Sequence, residues 1–245
     1  MDSGYYAAMT GLVARTQALD MAATNLANAQ TPGYRAEREF FRSALMGPDA
    51  ANSQLGRTVN DYGLIGGDRL STVQGALQST GNPLDLAIEG DGYFMIQTAN
   101  GVRYTRDGSF RRATDGRLVT TAGDVVLSTT GRAIQVPPGE VSVGAEGNLS
   151  VAGGNVASLA VVTFPTGTEL TAEGANHYIA PQGVTPVASK NSSVRQGALE
   201  SANQDMVQGS LELIVMQRQA EMMQKALTVF HTDFNKFATE DLPRV

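Results

Sequence analysis

The stretch TGNPLDLAIEGDGYFMIQTANGVRYTRDGSF, Thr80 to Phe110, sets the period of the middle of the chain. Leu84, Leu86 and Ile88 alternate with polar or small residues, the pattern of a strand with one face on a core. Gly90-Asp91-Gly92 then leads into the apolar run Tyr93-Phe94-Met95-Ile96. Hairpin-type turns follow at Asp107-Gly108, Asp115-Gly116, Gly123-Asp124 and Glu146-Gly147-Asn148. Residues 84–180 therefore read as a mainly antiparallel β domain of short strands.

Outward from this domain the chain turns polar and glycine-rich, in GPDAANSQLGRTVNDYGLIGGDR before it and APQGVTPVASKNSSVR after it. These segments read as extended arms over 31–83 and 181–204. A short internal similarity links them: Val73-Gln-Gly-Ala-Leu-Gln-Ser leads in and Arg195-Gln-Gly-Ala-Leu-Glu-Ser leads out. If the match is structural, the chain enters and leaves through equivalent strands side by side, which brings its two ends together.

Both ends carry a helical period. In residues 1–30, Leu12, Leu19 and Leu26 repeat every seven residues, with Met9, Thr16 and Ala23 three positions before each. In residues 205–239, Met206, Leu213, Ala220, Leu227 and Phe234 keep the same spacing beside Met216, Met223, Phe230 and Phe237. Gln, Glu, Arg and Lys fill the positions between, and Glu221 with Lys225 forms an i,i+4 pair in the favourable order. The C-terminal helix thus reads as one apolar seam and one wet face, the seam being methionine-rich and tolerant of several similar neighbours. Between helix and arm lies TNLANAQTPGYRAE, Thr24 to Glu37. Thr31-Pro32-Gly33-Tyr34 fits a type II turn, with Pro32 presetting φ and Gly33 taking positive φ. Asn25 and Asn28, three apart, share a helix face and can bond the chain as it turns away.

The bulk properties exclude several functions. The chain has 245 residues, no Cys and a net charge of −6, so thiolate metal sites and disulfides are absent, and nucleic acid or anionic membrane is a poor partner. No apolar run is long enough for membrane insertion, and MDSGYYAAMTGLVARTQALD lacks the basic and apolar regions of a cleaved secretory signal. His177 and His231 have no second ligand at metal spacing, and GDGYF lacks the strand-loop-helix setting of a phosphate cradle. No catalytic residue, cofactor or metal is expected. A carboxylate enzyme would have to use Asp85, Glu89 or Asp91, and these fit equally well as polar partners within strands.

Several motifs resemble the flagellar basal-body rod and hook protein family of bacteria. They are Asn25-Leu-Ala-Asn28 with Thr31-Pro-Gly-Tyr34, the block Thr80 to Ile88 with Gly92-Tyr-Phe94 and Tyr104-Thr-Arg-Asp-Gly-Ser-Phe110, and Gln217-Arg218, Glu221 and Lys225-Ala226. They touch both ends and the middle in the family's order. The resemblance implies a non-enzymatic axial subunit, exported unfolded by the flagellar type III apparatus and polymerised with itself and other rod subunits. Its site would be the rod of the basal body, in the periplasmic space. It further implies the fold class: α+β, with long N- and C-terminal helices forming a coiled coil, joined by extended arms to the central β domain. The assembly interface would be Leu12, Leu19, Leu26, Met206, Leu213, Met216, Met223, Leu227, Phe230 and Phe234, and the hinge Asn25, Asn28, Thr31, Pro32, Gly33 and Tyr34. Phe41 with Leu45 fits the pattern by which such subunits dock at the export gate. Length and the single modest β domain fit a proximal or distal rod subunit; the absence of an aromatic at Ala220 favours the proximal, while the Thr80 to Phe110 block is as close to the distal. A secreted adhesin with a β head on a coiled-coil stem is the alternative from another class.

Overall fold

The computed structural model describes residues 2–42, 64–174 and 176–240. The chain forms two compact units, one of Met1–Ala27, Glu37–Arg69 and Met206–Val245, the other of Asn28–Ala36 and Leu70–Asp205.

The second unit is built from short strands. The ladder of β3 (Leu77–Ser79) stands apart from that of β4 (Leu86–Gly90), and the main sheet gathers β5 (Tyr93–Thr98), β6 (Gly101–Thr105), β7 (Phe110–Arg112), β8 (Leu118–Thr120) and β9 (Val125–Val126). A separate three-stranded sheet follows, β10 (Val141–Val143), β11 (Asn148–Val151) and β12 (Gly154–Ser158). The chain then returns to the main sheet with β13 (Val161–Thr163), β14 (Thr171–Glu173), β15 (His177–Ile179) and β16 (Val187–Ala188). It leaves through β17 (Ser192–Gln196), paired with β4, and β18 (Ala198–Glu200), paired with β3. The main sheet runs β14-β15-β6-β5-β9-β8-β7 and every pairing is antiparallel.

Leu86, Ile88, Phe94, Ile96, Phe110, Leu118, Val126, Ile134 and Leu149 meet in one core; burying each such side chain is worth about 1.5–3 kcal/mol. Tyr104, Val162 and Tyr178 form a second cluster with Tyr93 and Phe164 against it. β4 does not alternate as expected: Leu86, Ala87 and Ile88 are all buried, because small Ala87 lets the strand be covered on both faces. The glycine turns at 115–116, 123–124 and 146–147 join consecutive strands, closed by bonds such as Gly116 N to Ala113 O, Thr120 N to Asp124 O and Gly144 N to Asn148 O. Asp107-Gly108 instead brings the backbone against β4: a Cβ on Gly108 would lie 1.6 Å from Leu86 O.

The first unit holds α1 (Asp2–Ala27), a ladder of β1 (Glu37–Arg42) with β2 (Leu64–Leu70), and α2 (Met206–Glu240). α1 and α2 lie against each other. The expected class, α+β with long terminal helices forming a coiled coil, is corrected here: the chain is mainly β, with eighteen strands among the described residues and one helix at each end. A coiled coil inserts large apolar knobs at its a and d positions. On α1 the buried line is Gly11, Ala14, Ala18 and Asn25, one residue away from the predicted leucines. Leu12, Leu19 and Leu26 are half-buried, while Met9, Thr16 and Ala23 are exposed. Small residues hold that line, so it offers no knobs.

On α2, Gly209, Ala220 and Leu227 are buried and Leu213, Met216 and Met223 half-buried, but Met206 is exposed. The face expected to be wet carries a second apolar line, Val207, Leu211, Ile214, Val215, Met222 and Val229, each between 48% and 71% exposed. Sequence period alone hides it, because the charged and amide residues between these positions break up its hydropathy. Leu45 lies outside the described residues, as do the side chains of Phe41, Phe230, Phe234, Phe237 and His231.

Candidate functional site

Three motifs singled out in the sequence converge on one buried junction in the second unit. Tyr34 N donates to Thr31 O at 3.2 Å and Gly33 has φ +69°, the closure and left-handed third position of a type II turn. Just before it, Thr31 N donates to Asn28 O at 2.9 Å and Thr31 Oγ1 to Asn28 Oδ1 at 3.3 Å. Gly33 rests on the Arg106-Asp107 peptide, where a Cβ would come within 2.3 Å of Arg106 C and Asp107 N. Tyr34, Arg35 and Ala36 follow as a buried strap.

The strap is held by charge. The Glu200 carboxylate accepts from Arg35 Nη2 at 2.9 Å, from Arg106 Nη1 at 3.1 Å and from Gly75 N at 3.0 Å. The three side chains are 2%, 4% and 1% exposed. Two guanidiniums against one carboxylate leave an excess positive charge in a dry site, which is costly unless other dipoles face it. Carbonyls do so: Arg106 donates to Ile88 O at 3.3 Å and Gly90 O at 2.7 Å, and Arg35 to Val73 O. The Arg106 guanidinium also lies 5.4 Å from the Tyr93 ring centroid. Burial pulls Arg106 below its ordinary value, Glu200 opposing the shift and Arg35 adding to it. Burial pushes the Tyr178 hydroxyl above the tyrosine range, so it stays a neutral donor to Gly33 O at 3.3 Å and an acceptor from Arg35 N at 3.1 Å.

The two QGAL segments supply the frame. Ala198, Leu199 and Glu200 pair with Ser79, Gln78 and Leu77, so they do lie side by side. Gly33 N donates to Glu200 O at 2.8 Å. Asn203 Oδ1 accepts from Ala36 N at 2.7 Å and its Nδ2 donates to Val73 O at 2.8 Å. Gln74 bridges Ile88 O at 2.6 Å and Gly90 N at 3.1 Å.

Of the predicted hinge, Asn28, Thr31, Pro32, Gly33 and Tyr34 lie at or beside this junction, whereas Asn25 belongs to α1. There its amide clamps the backbone of β1, donating to Glu37 O at 2.8 Å and accepting from Glu37 N at 3.0 Å. Arg35, Arg106, Glu200 and Tyr178 were not singled out in the sequence. A signal existed for Glu200, which stands where the matching segment has Gln78, the two segments differing besides only at Val73 and Arg195. Asp85, one of the conceivable catalytic carboxylates, closes the TGNPLD turn by accepting from Thr80 Oγ1 at 2.6 Å and Asn82 Nδ2 at 2.8 Å. Among the described residues no group of three or more His, Cys, Asp or Glu is placed to hold a metal ion.

Asp107, beneath the Gly33 turn, has its pKa raised from 3.8 by burial, opposed by bonds from Ser109 and Asn176. The native state therefore holds this proton more tightly than the unfolded chain. Its stabilising contribution is complete below the ordinary carboxylate range and is lost as pH rises through the raised value. Asp107→Asn should flatten that part of the curve of urea midpoint against pH relative to wild type; parallel curves would contradict the assignment.

The matched regions coincide with these parts. The profile described as the flagellar hook protein FlgE/F/G D1 domain matches residues 87–151, which include Arg106. The profile described as the flagella basal body rod protein matches residues 6–35, which end on Arg35. The chain is 32% identical to flagellar basal-body rod protein FlgF of Caulobacter vibrioides, covering 93% of both chains. It is 32% identical to the rod protein FlgG of Bacillus subtilis over 91% of this chain and 93% of that one. With FlgF of Salmonella typhimurium the identity is 31%, over 93% and 94%. With relatives this similar over more than nine tenths of its length, the chain belongs to the flagellar basal-body rod protein family.

Proposed function

We propose that this protein is an axial subunit that passes unfolded through the flagellar export apparatus and then polymerises with itself and with other rod subunits. The family places it in the basal body of the flagellum as a structural part, not an enzyme. The observation that carries polymerisation is the second apolar line on α2. Val207, Leu211, Ile214, Val215, Met222 and Val229 expose along one helix what a monomer ordinarily hides. A repeated heterologous contact through such a line extends a filament rather than closing a ring. The predicted assembly residues Leu12, Leu19, Leu26, Met206, Leu213, Met216, Met223, Leu227, Phe230 and Phe234 remain the proposal for packing within and between subunits.

For position in the rod we favour the proximal subunit, FlgF. Ala220 is buried, and an aromatic there, as distal rod proteins often carry, would need a different helix contact. FlgG is the alternative, since relatives of both names match equally well. Phe41 and Leu45 remain the proposed export-gate pair.

Ile214→Asp combined with Met222→Asp tests the interface. Both side chains are exposed, so the monomer's stability should change by no more than about 0.5 kcal/mol per site. Swimming in soft agar should be abolished while the variant is still made at wild-type level. Normal swimming would remove the α2 line from the assembly.

A further inference from the structure

We propose that Glu200 is the closing counter-ion of the second unit: residues 28–36 and the Arg106 side chain dock only when β18 arrives, so this unit locks last and from its C-terminal edge. The inference stands whether or not the chain polymerises. Its basis is where the lock's parts come from. Glu200 is 94 residues from Arg106 and 125 from Gly75, and Asn203 is 167 from Ala36. The hairpins β7-β8, β8-β9 and β10-β11, by contrast, close through bonds such as Thr120 N to Asp124 O and Gly144 N to Asn148 O. Closure over few residues precedes closure over many, because the entropy of bringing ends together grows with the loop.

Charge makes the order strict. Without Glu200, docking the strap would place Arg35 beside Arg106 in a site where both side chains are at most 4% exposed. Bringing two unpaired guanidiniums into such a site is strongly unfavourable, and the Nε atoms of both are already buried without an acceptor among the described residues. One short segment then supplies the counter-charge and several of the closing bonds at once. Glu200 pairs with both cations and takes Gly75 N, its carbonyl takes Gly33 N, and Ser201 N reaches Ala76 O. A chain whose residues 198–203 have not yet arrived therefore keeps its N-terminal strap free, although the local hairpins behind it are formed.

The test uses the full chain. Pulse-labelled hydrogen exchange during refolding should protect the amides of Thr120 and Gly144 first, and those of Gly33, Gly75 and Ala36 in the last phase. Stopped-flow kinetics of Glu200→Gln should show unfolding faster by about a hundredfold or more, with the refolding rate within about twofold of wild type. If that variant does not fold, Asn203→Ala, which removes the bonds to Ala36 N and Val73 O, should speed unfolding about tenfold with the same unchanged refolding limb. Simultaneous protection of Gly33 and Thr120, or a variant whose lost stability appears as slower refolding, would overturn the proposal.

Discussion

Glu200→Ala is expected to lower the stability of the folded chain by about 3–5 kcal/mol, the cost of leaving a buried ion group without its partner. Arg35 and Arg106 would both stay in place with their counter-charge gone, and Gly75 N would lose its acceptor. The loss comes from stranded charge rather than from a missing attraction. Replacing Arg35, Arg106 and Glu200 together by apolar residues of similar volume should therefore recover most of it. Urea unfolding followed by circular dichroism gives both numbers. A single variant within 1 kcal/mol of wild type, by the same order-of-magnitude scale, would mean that the cluster is solvated and the junction looser than its geometry indicates.

Gly33→Ala is expected to cost about 3 kcal/mol, from two separable sources. A left-handed backbone is worth about 1–2 kcal/mol against a Cβ, and forcing a methyl into packed atoms adds about 1–3 kcal/mol. At Gly33 both apply, since φ is +69° and the Arg106-Asp107 peptide stands 2.3 Å from the added carbon. Gly81 has φ +75° but nothing within 4 Å, so Gly81→Ala carries the backbone cost alone, about 1 kcal/mol. The gap between the two variants measures how tightly the turn is seated. Equal losses would show that Gly33 is needed for its φ only.

Much of this fold was legible because its signals are local. The Thr-Pro-Gly turn follows from residue chemistry alone, and the glycine turns between 113 and 148 fall where hairpins form. That the two QGAL segments lie side by side was readable from their likeness, though not that they run antiparallel. What was not legible depended on distance along the chain. Nothing near Arg35 says that Glu200 and Arg106 will share its site, since ion pairing across such separations is set by the whole topology. Asp107-Gly108 looked like one more hairpin turn, yet its glycine serves a close approach to Leu86 O. The helices misled for another reason. Leucines at heptad spacing stand out in a list of residues, but the line that α1 buries is made of Gly11, Ala14 and Ala18, which carry little hydropathy. The same emphasis made a mainly β chain look like a coiled-coil protein with a β insert. On α2 the apolar residues are enough for two faces, and only burial tells which one the subunit keeps for itself.

Electron cryotomography of basal bodies from a strain lacking this gene tests the central claim most directly. A rod subunit predicts basal bodies in which the rod stops short and neither distal rod nor hook is present, with both restored by the wild-type gene. Full-length rods carrying hooks in the deletion strain would contradict it.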